Sequence, residues 1–89
     1  MFKIFRNDDT AYEAARHSWA HYIYNDFGGR NPTYKKLHHA DCRTLDLKPG
    51  LKTTSVPKVC SDSRAELLAW ILTNRGPEGS GYTLCQVCL

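Results

Sequence analysis

Two short pairs of metal-affine side chains carry the chemistry of this sequence: His38 with Cys42, and Cys85 with Cys88. Three thiolates and one imidazole in two close pairs match the donor set of a closed tetrahedral zinc site, with no position left for water. The predicted metal ligands are therefore His38, Cys42, Cys85 and Cys88, and the predicted cofactor is Zn2+. A CxxC knuckle sets two sulfurs on one tight turn whose backbone amides can donate to them. HxxxC spans about one helical turn or a wide loop and can supply the opposite edge of the tetrahedron. The two pairs are separated by 42 residues, and a cross-link gains most when the loop it closes is long. A CxxC can also act as a redox dithiol. That motif usually opens a helix after a strand, whereas here a single residue follows Cys88.

With 89 residues, a chain buries only about 60 to 65% of its unfolded surface, so a metal staple matters and one domain is expected. No apolar run approaches the roughly 20 residues of a membrane-spanning helix. The segment Met1 to Arg6 is too short for the apolar core of a signal peptide and is soon followed by Asp8 and Asp9. A cytoplasmic protein is expected, and in a reducing compartment four cysteines are better explained by coordination plus one spare thiol than by two disulfides.

The formal net charge is +3. A divalent ion held by three thiolates would lower it to about +2, too little to identify a partner. Basic residues do gather around the first ligand pair, at Arg30, Lys35, Lys36 and Arg43, and again at Lys48, Lys52 and Lys58. The first group is the candidate phosphate-facing patch, with a merely solvated surface as the alternative.

Several elements must position these groups. Phe2 to Phe5 alternates like a strand, ended by the polar run Asn7 to Thr10. Thr10 to Glu13 fits a capping box, and Tyr12, Ala15, Trp19, Tyr22, Ile23 and Phe27 recur at helical spacing up to Gly28-Gly29. Together they predict one helix about 25 Å long with a single buried stripe. Its other face would carry Glu13, His17 and His21, the two histidines one turn apart, a spacing that can chelate a metal. From Arg30 to Lys36 the chain reads as extended, and Lys48 to Lys58 as a loop or irregular hairpin. Lys58-Val59-Cys60 reads as a short strand. A second helix opens at the capping box Ser63 to Glu66, buries Leu67, Leu68, Ile71 and Leu72 with Trp70 on its flank, and stops at Gly76-Pro77. The glycine-rich stretch Gly76 to Gly81 lacks the lysine and hydroxyl of a P-loop and reads as a connector, before Tyr82 to Leu84 extends into Cys85.

Three segments in order, Leu37-His38-His39-Ala40-Asp41-Cys42-Arg43, Val59-Cys60-Ser61-Asp62-Ser63-Arg64-Ala65-Glu66 and Gly81-Tyr82-Thr83-Leu84-Cys85-Gln86-Val87-Cys88, resemble the Ada-type metal-binding domain over roughly residues 34–88. The resemblance implies a four-ligand zinc site on a small mixed module that contacts DNA. In DNA-repair members of that family the first ligand is a cysteine that accepts a methyl group from a phosphotriester. Here that position is His38, and an imidazole lacks thiolate nucleophilicity, so methyl-acceptor activity does not carry over. His39 could stand in for His38 with a poorer fit to the pattern. Cys60 reads as a small buried residue, with an alternative ligand as the competing reading.

The expected fold is therefore α+β: a zinc-stabilised single domain, residues 1–89, in which an N-terminal strand and helix (1–29) pack on an Ada-like zinc module (30–89) with a short sheet and a second helix. The expected function is binding, with DNA as the partner. The alternative is a protein-protein interaction module, such as a phage or bacterial inhibitor or adaptor that captures a host or cellular protein. An enzyme is not expected, because a closed zinc site holds no activated water and no carboxylate pair or Cys/His dyad stands apart from the ligands. Oligomeric state is open.

Overall fold

The computed structural model describes residues 1–26, 35–42, 54 and 56–88. Its elements in chain order are β1 (Phe2–Phe5), α1 (Asp9–Arg16), β2 (Tyr22–Asn25), β3 (Lys36–His39), β4 (Lys58–Ser61), α2 (Arg64–Asn74) and β5 (Thr83–Leu84). The strands form one sheet in the order β1-β4-β2-β3-β5, antiparallel throughout except for the parallel pair β3 and β5. The α+β class expected from the sequence is what the chain adopts. The sheet does not separate residues 1–29 from the remainder, however, because β4 lies between β1 and β2. What read as an N-terminal extension supplies both neighbours of β4.

Strand residues alternate between two faces, and each face is covered by one helix. On one side Phe5, Ile23 and Cys60 pack with Tyr12 and Ala15 of α1, and with Ala20 and Ala40. On the other, Tyr24, Leu37 and Val59 pack against Leu67 and Ile71 of α2, with Trp70, Leu68, Tyr82 and Leu84 around them. Of the apolar residues assigned to α2, Leu72 is not buried: it is 61% exposed. It falls outside the narrow stripe that Leu67 and Ile71 define, one turn apart.

The long first helix is a correction. α1 ends at Arg16, with His17 as its C-cap, and Trp19 and Ala20 donate their amides back to the Ala15 carbonyl at 3.1 and 2.9 Å. The chain then turns, and Tyr22-Ile23-Tyr24 becomes a central strand covered on both faces. These aromatic and β-branched side chains suit a pleated surface better than a helix. Phe27, the last residue of the expected stripe, lies outside the described residues. The cap also differs. Asp8, not Thr10, accepts the Ala11 amide at 3.1 Å, and the neighbouring Asp9 carboxylate takes the backbone amide of buried Thr54 at 2.8 Å. Asp8 and Asn7 in turn donate their amides to the Thr54 hydroxyl and carbonyl at 2.7 and 3.0 Å. Thr54 thus pins the start of α1 through four hydrogen bonds, the fourth from its hydroxyl to Asp9.

α2 starts where expected. Ser63 accepts the Glu66 amide at 3.2 Å, but the carboxylate does not reach back to Ser63. Glu66 accepts from the Ser61 hydroxyl at 2.8 Å, and that oxygen takes the Ser63 amide at 2.9 Å. Ser61 relays the second half of the capping box. Beyond α2, Arg75 holds buried Asp26 at the end of β2 in a two-pronged ion pair, 2.8 and 2.7 Å. The connector then folds tightly. A Cβ on Gly81 would meet the Gly76 carbonyl at 2.5 Å, and buried Tyr24 donates its hydroxyl to the Gly81 carbonyl at 3.0 Å. This close approach of backbone to backbone, rather than phosphate binding, accounts for the glycine. No helix among the described residues is long and apolar enough to cross a membrane.

Candidate metal centre

His38, Cys42, Cys85 and Cys88 come together at the β3–β5 side of the sheet, their ligand atoms all within 4.8 Å of one another. Each arrives by a different backbone device. His38 is paired with Ile23 across β2–β3, so its ring lies on the α1 side of the sheet and is 6% exposed. The ladder continues beyond β3, where the Ala40 amide donates to the His21 carbonyl at 2.9 Å. A turn then brings the Cys42 amide to the His39 carbonyl at 3.1 Å. HxxxC is thus a strand end plus a turn, the wide-loop form, and not a helical one. Cys85 is delivered by the parallel ladder: the Thr83 amide donates to the Lys35 carbonyl at 2.9 Å and the Cys85 amide to the Leu37 carbonyl at 3.0 Å. Cys88 completes the knuckle, and its sulfur accepts the His39 backbone amide at 3.3 Å.

These distances suit a tetrahedral ion. Two sulfurs each about 2.3 Å from a tetrahedral centre stand about 3.8 Å apart, and those of Cys42 and Cys85 are 3.7 Å apart. That separation is far beyond the roughly 2.05 Å of a disulfide. Among the described residues, which include all four cysteines, no disulfide is formed. Amide donation to Cys88 is the support expected for a bound thiolate.

Electrostatics favour a ligand role over a redox one. Burial, followed by the nearby charges of Lys58, Lys36 and Arg16, pulls His38 down from its ordinary value of 6.5 to about 4, which keeps the imidazole neutral, as a ligand must be. Burial first, then the hydrogen bond with Cys42, pushes the Cys88 thiol up to about 12. A reactive dithiol needs the opposite, a thiol stabilised as thiolate without metal. A cation among the four donors supplies what burial removes.

The alternative ligands fall away on geometry. His39 points to the other face of the sheet from His38, where its ring lies 5.0 Å from that of Tyr22. Cys60 is fully buried beneath α1 on β4, and burial pushes its thiol up to about 12. It behaves as the small core residue the sequence implied. The His17–His21 pair loses its one-turn spacing because the helix stops between them. His17 instead contacts Glu13 at 3.1 Å.

Lys35 and Lys36, two of the four candidate phosphate contacts, sit half-buried at the entry to β3 beside the centre. Arg30 and Arg43 lie outside the described residues. Sequence reasoning missed Arg16. This residue ends α1, is 8% exposed, and donates Nε to the Ala40 carbonyl at 2.6 Å and Nη2 to the Cys42 carbonyl at 3.3 Å. Nothing local marks it, since an arginine in a last helical turn is ordinary dipole complementarity. Next to the ligand loop lies a cleft of about 540 Å3, whose lining includes Arg16, His21, Tyr22, His39, Asp41 and Asp62.

No family model, curated protein or solved structure matches this chain.

Proposed function

We propose that this chain is a structural-zinc module of Ada-like type that acts by binding a nucleic acid, DNA in the first place, without methyl-acceptor or other catalytic activity. The observation that carries the reading is the convergence of His38, Cys42, Cys85 and Cys88 within 4.8 Å. Borderline-soft nitrogen and sulfur donors in a closed set of four favour zinc over magnesium or calcium, which take oxygen ligands. The Ada-type resemblance adds the partner. It aligns His38 with the methyl-accepting position, and a neutral, buried imidazole there supports a centre that holds the fold together and leaves substrate alone. Lys35 and Lys36 beside the centre provide phosphate contacts that would position a duplex without reading its sequence. The setting we assign is the cytoplasm.

One observation favours a protein partner instead. Asp41 and Asp62 line the cleft nearest the ligand loop, and carboxylates there oppose a phosphodiester backbone. Fluorescence anisotropy of the zinc-loaded protein with labelled DNA duplexes separates the two. The nucleic-acid reading expects affinity that falls steeply with salt and weakens across all sequences in the Lys35→Gln, Lys36→Gln double variant, with the salt slope reduced by about two phosphates. Absence of binding at low salt, together with nuclease-resistant capture of a protein, contradicts it.

A further inference from the structure

We propose that Arg16 is the positioning residue and counter-charge of the metal centre, so that helix α1 sets the affinity for the ion although it contributes no ligand. The inference deepens the zinc reading above and rests on it. Geometry at the ligand loop is the first half. His38 is fixed by the β2–β3 ladder, but Cys42 lies past its end, beyond the turn at Ala40 and Asp41. Free rotation there would let its sulfur leave the other three. The guanidinium of Arg16 holds both ends of that turn, the Ala40 carbonyl at 2.6 Å and the Cys42 carbonyl at 3.3 Å. A planar fork can bridge two acceptors in a way a lysine ammonium does not.

Charge gives the second half. A divalent ion with three thiolates and a neutral imidazole carries one net negative charge, and burying a net charge is costly unless an opposite one is near. The Arg16 side chain is 4% exposed and lies 3.7 Å from the Glu13 carboxylate, which is 45% exposed and therefore well solvated. Lys36 and Lys58 add to the positive surroundings of His38, together with Arg16. Positive charge gathered here suits an anionic zinc-thiolate complex. Arg16 differs from the two lysines in also gripping the ligand loop, so it acts on both geometry and charge.

The test compares wild-type protein, Arg16→Met and Arg16→Lys, each loaded with zinc and titrated against a chromophoric chelator, with cobalt(II) substituted in parallel. Outer partners of metal ligands typically set affinity by about 10- to 100-fold. Arg16→Met is expected to weaken zinc by that amount and to diminish the sulfur-to-cobalt charge-transfer bands, while Arg16→Lys, which keeps the charge and loses the fork, recovers part of the affinity. Zinc affinity of Arg16→Met within about threefold of wild type overturns the proposal, as does a lysine variant no better than the methionine one. If Arg16→Met does not fold, Arg16→Lys decides. A measurable loss of affinity with the cobalt bands retained supports the role, and unchanged affinity removes it. Failure of wild-type protein to bind zinc at all would instead defeat the reading beneath.

Discussion

Cys42 and Cys85, 43 positions apart in the chain, hold their sulfurs 3.7 Å from each other. Two separate sets of hydrogen bonds bring them there. The parallel ladder of β3 and β5 fixes Cys85, and the Arg16-held turn fixes Cys42. A long-range contact between two buried thiols that form no disulfide has a physical purpose when a cation lies between them.

The two classes of cysteine should respond differently to the same change. Cys85→Ser removes a first ligand and is expected to weaken zinc by more than the roughly 100-fold upper range of an outer-partner change. Cys60→Ser should leave zinc affinity unchanged and cost about 1 to 3 kcal/mol of folding stability, because it buries a hydroxyl in an apolar cluster. Chelator competition and chemical denaturation measure the two effects. Equal loss of zinc in both variants would place Cys60 in the ligand set.

Neighbouring histidines provide a sharper comparison. His38→Ala should abolish tight zinc binding, whereas His39→Ala should keep it, since His39 supports Cys88 through its backbone amide, which the substitution retains. The cost of His39→Ala should be confined to the lost Tyr22 ring contact, about 0.5 to 1.5 kcal/mol. Cobalt(II) spectra distinguish ligand loss from a packing defect. An unaltered spectrum in His38→Ala contradicts the assignment.

Lys58 should contribute one of two opposing terms to the alkaline side of the stability profile. Burial pulls its ammonium from 10.5 down to about 8, and its Nζ donates to Asn25. Between those values the unfolded chain binds more protons than the folded one, so Lys58 makes stability rise with pH from about 8 to 10.5. Its penalty is fully present below about 8. Cys60 and Tyr24 act in the opposite sense. Burial raises them from 9.0 and 10.0 to about 12, so the unfolded chain ionises first and their contribution falls as pH rises above 9. The difference between wild type and Lys58→Met isolates the lysine. The variant should be more stable at pH 7, by up to about 3 kcal/mol from the size of the shift, with the advantage shrinking through pH 8 to 10. A pH-independent difference would show that Lys58 is not buried as a cation.

Arg75 and Asp26 tie α2 to the end of β2 through two parallel hydrogen bonds, with Asp26 7% exposed. Asp26→Asn should lower stability by about 2 kcal/mol, because Arg75 loses a charged two-pronged partner that is largely shielded from water. Arg75→Lys should cost less, about 1 kcal/mol, since charge remains and the second prong is lost. Urea melts of the zinc-loaded proteins give both values. Zinc affinity should stay unchanged in each, as neither residue touches the ligand loop.

The convergence of His38, Cys42, Cys85 and Cys88 into one cluster that could hold a metal ion was legible, because its signal is chemical identity at fixed spacing, which needs no knowledge of the fold. β1, β4 and α2 were legible too: their alternation, their boundaries and the Ser63 cap are local. The error at α1 has a specific origin. Tyr12, Ala15, Trp19, Tyr22 and Ile23 keep helical spacing across a helix end that no glycine or proline marks. A four-residue strand covered on both faces shows no polar alternation to reveal it. What stops the helix is tertiary: β2 is wanted between β4 and β3. Arg16 and the Arg75–Asp26 pair were illegible for a related reason. Their partners lie 24 to 49 positions away, and such contacts leave no periodic trace.

Native mass spectrometry of the purified protein, set beside a denaturing spectrum of the same sample, tests the central claim most directly. The account predicts one zinc ion per chain under native conditions, lost on denaturation, and loss of the native fold after exhaustive chelation. A metal-free chain that retains its full structure would contradict it.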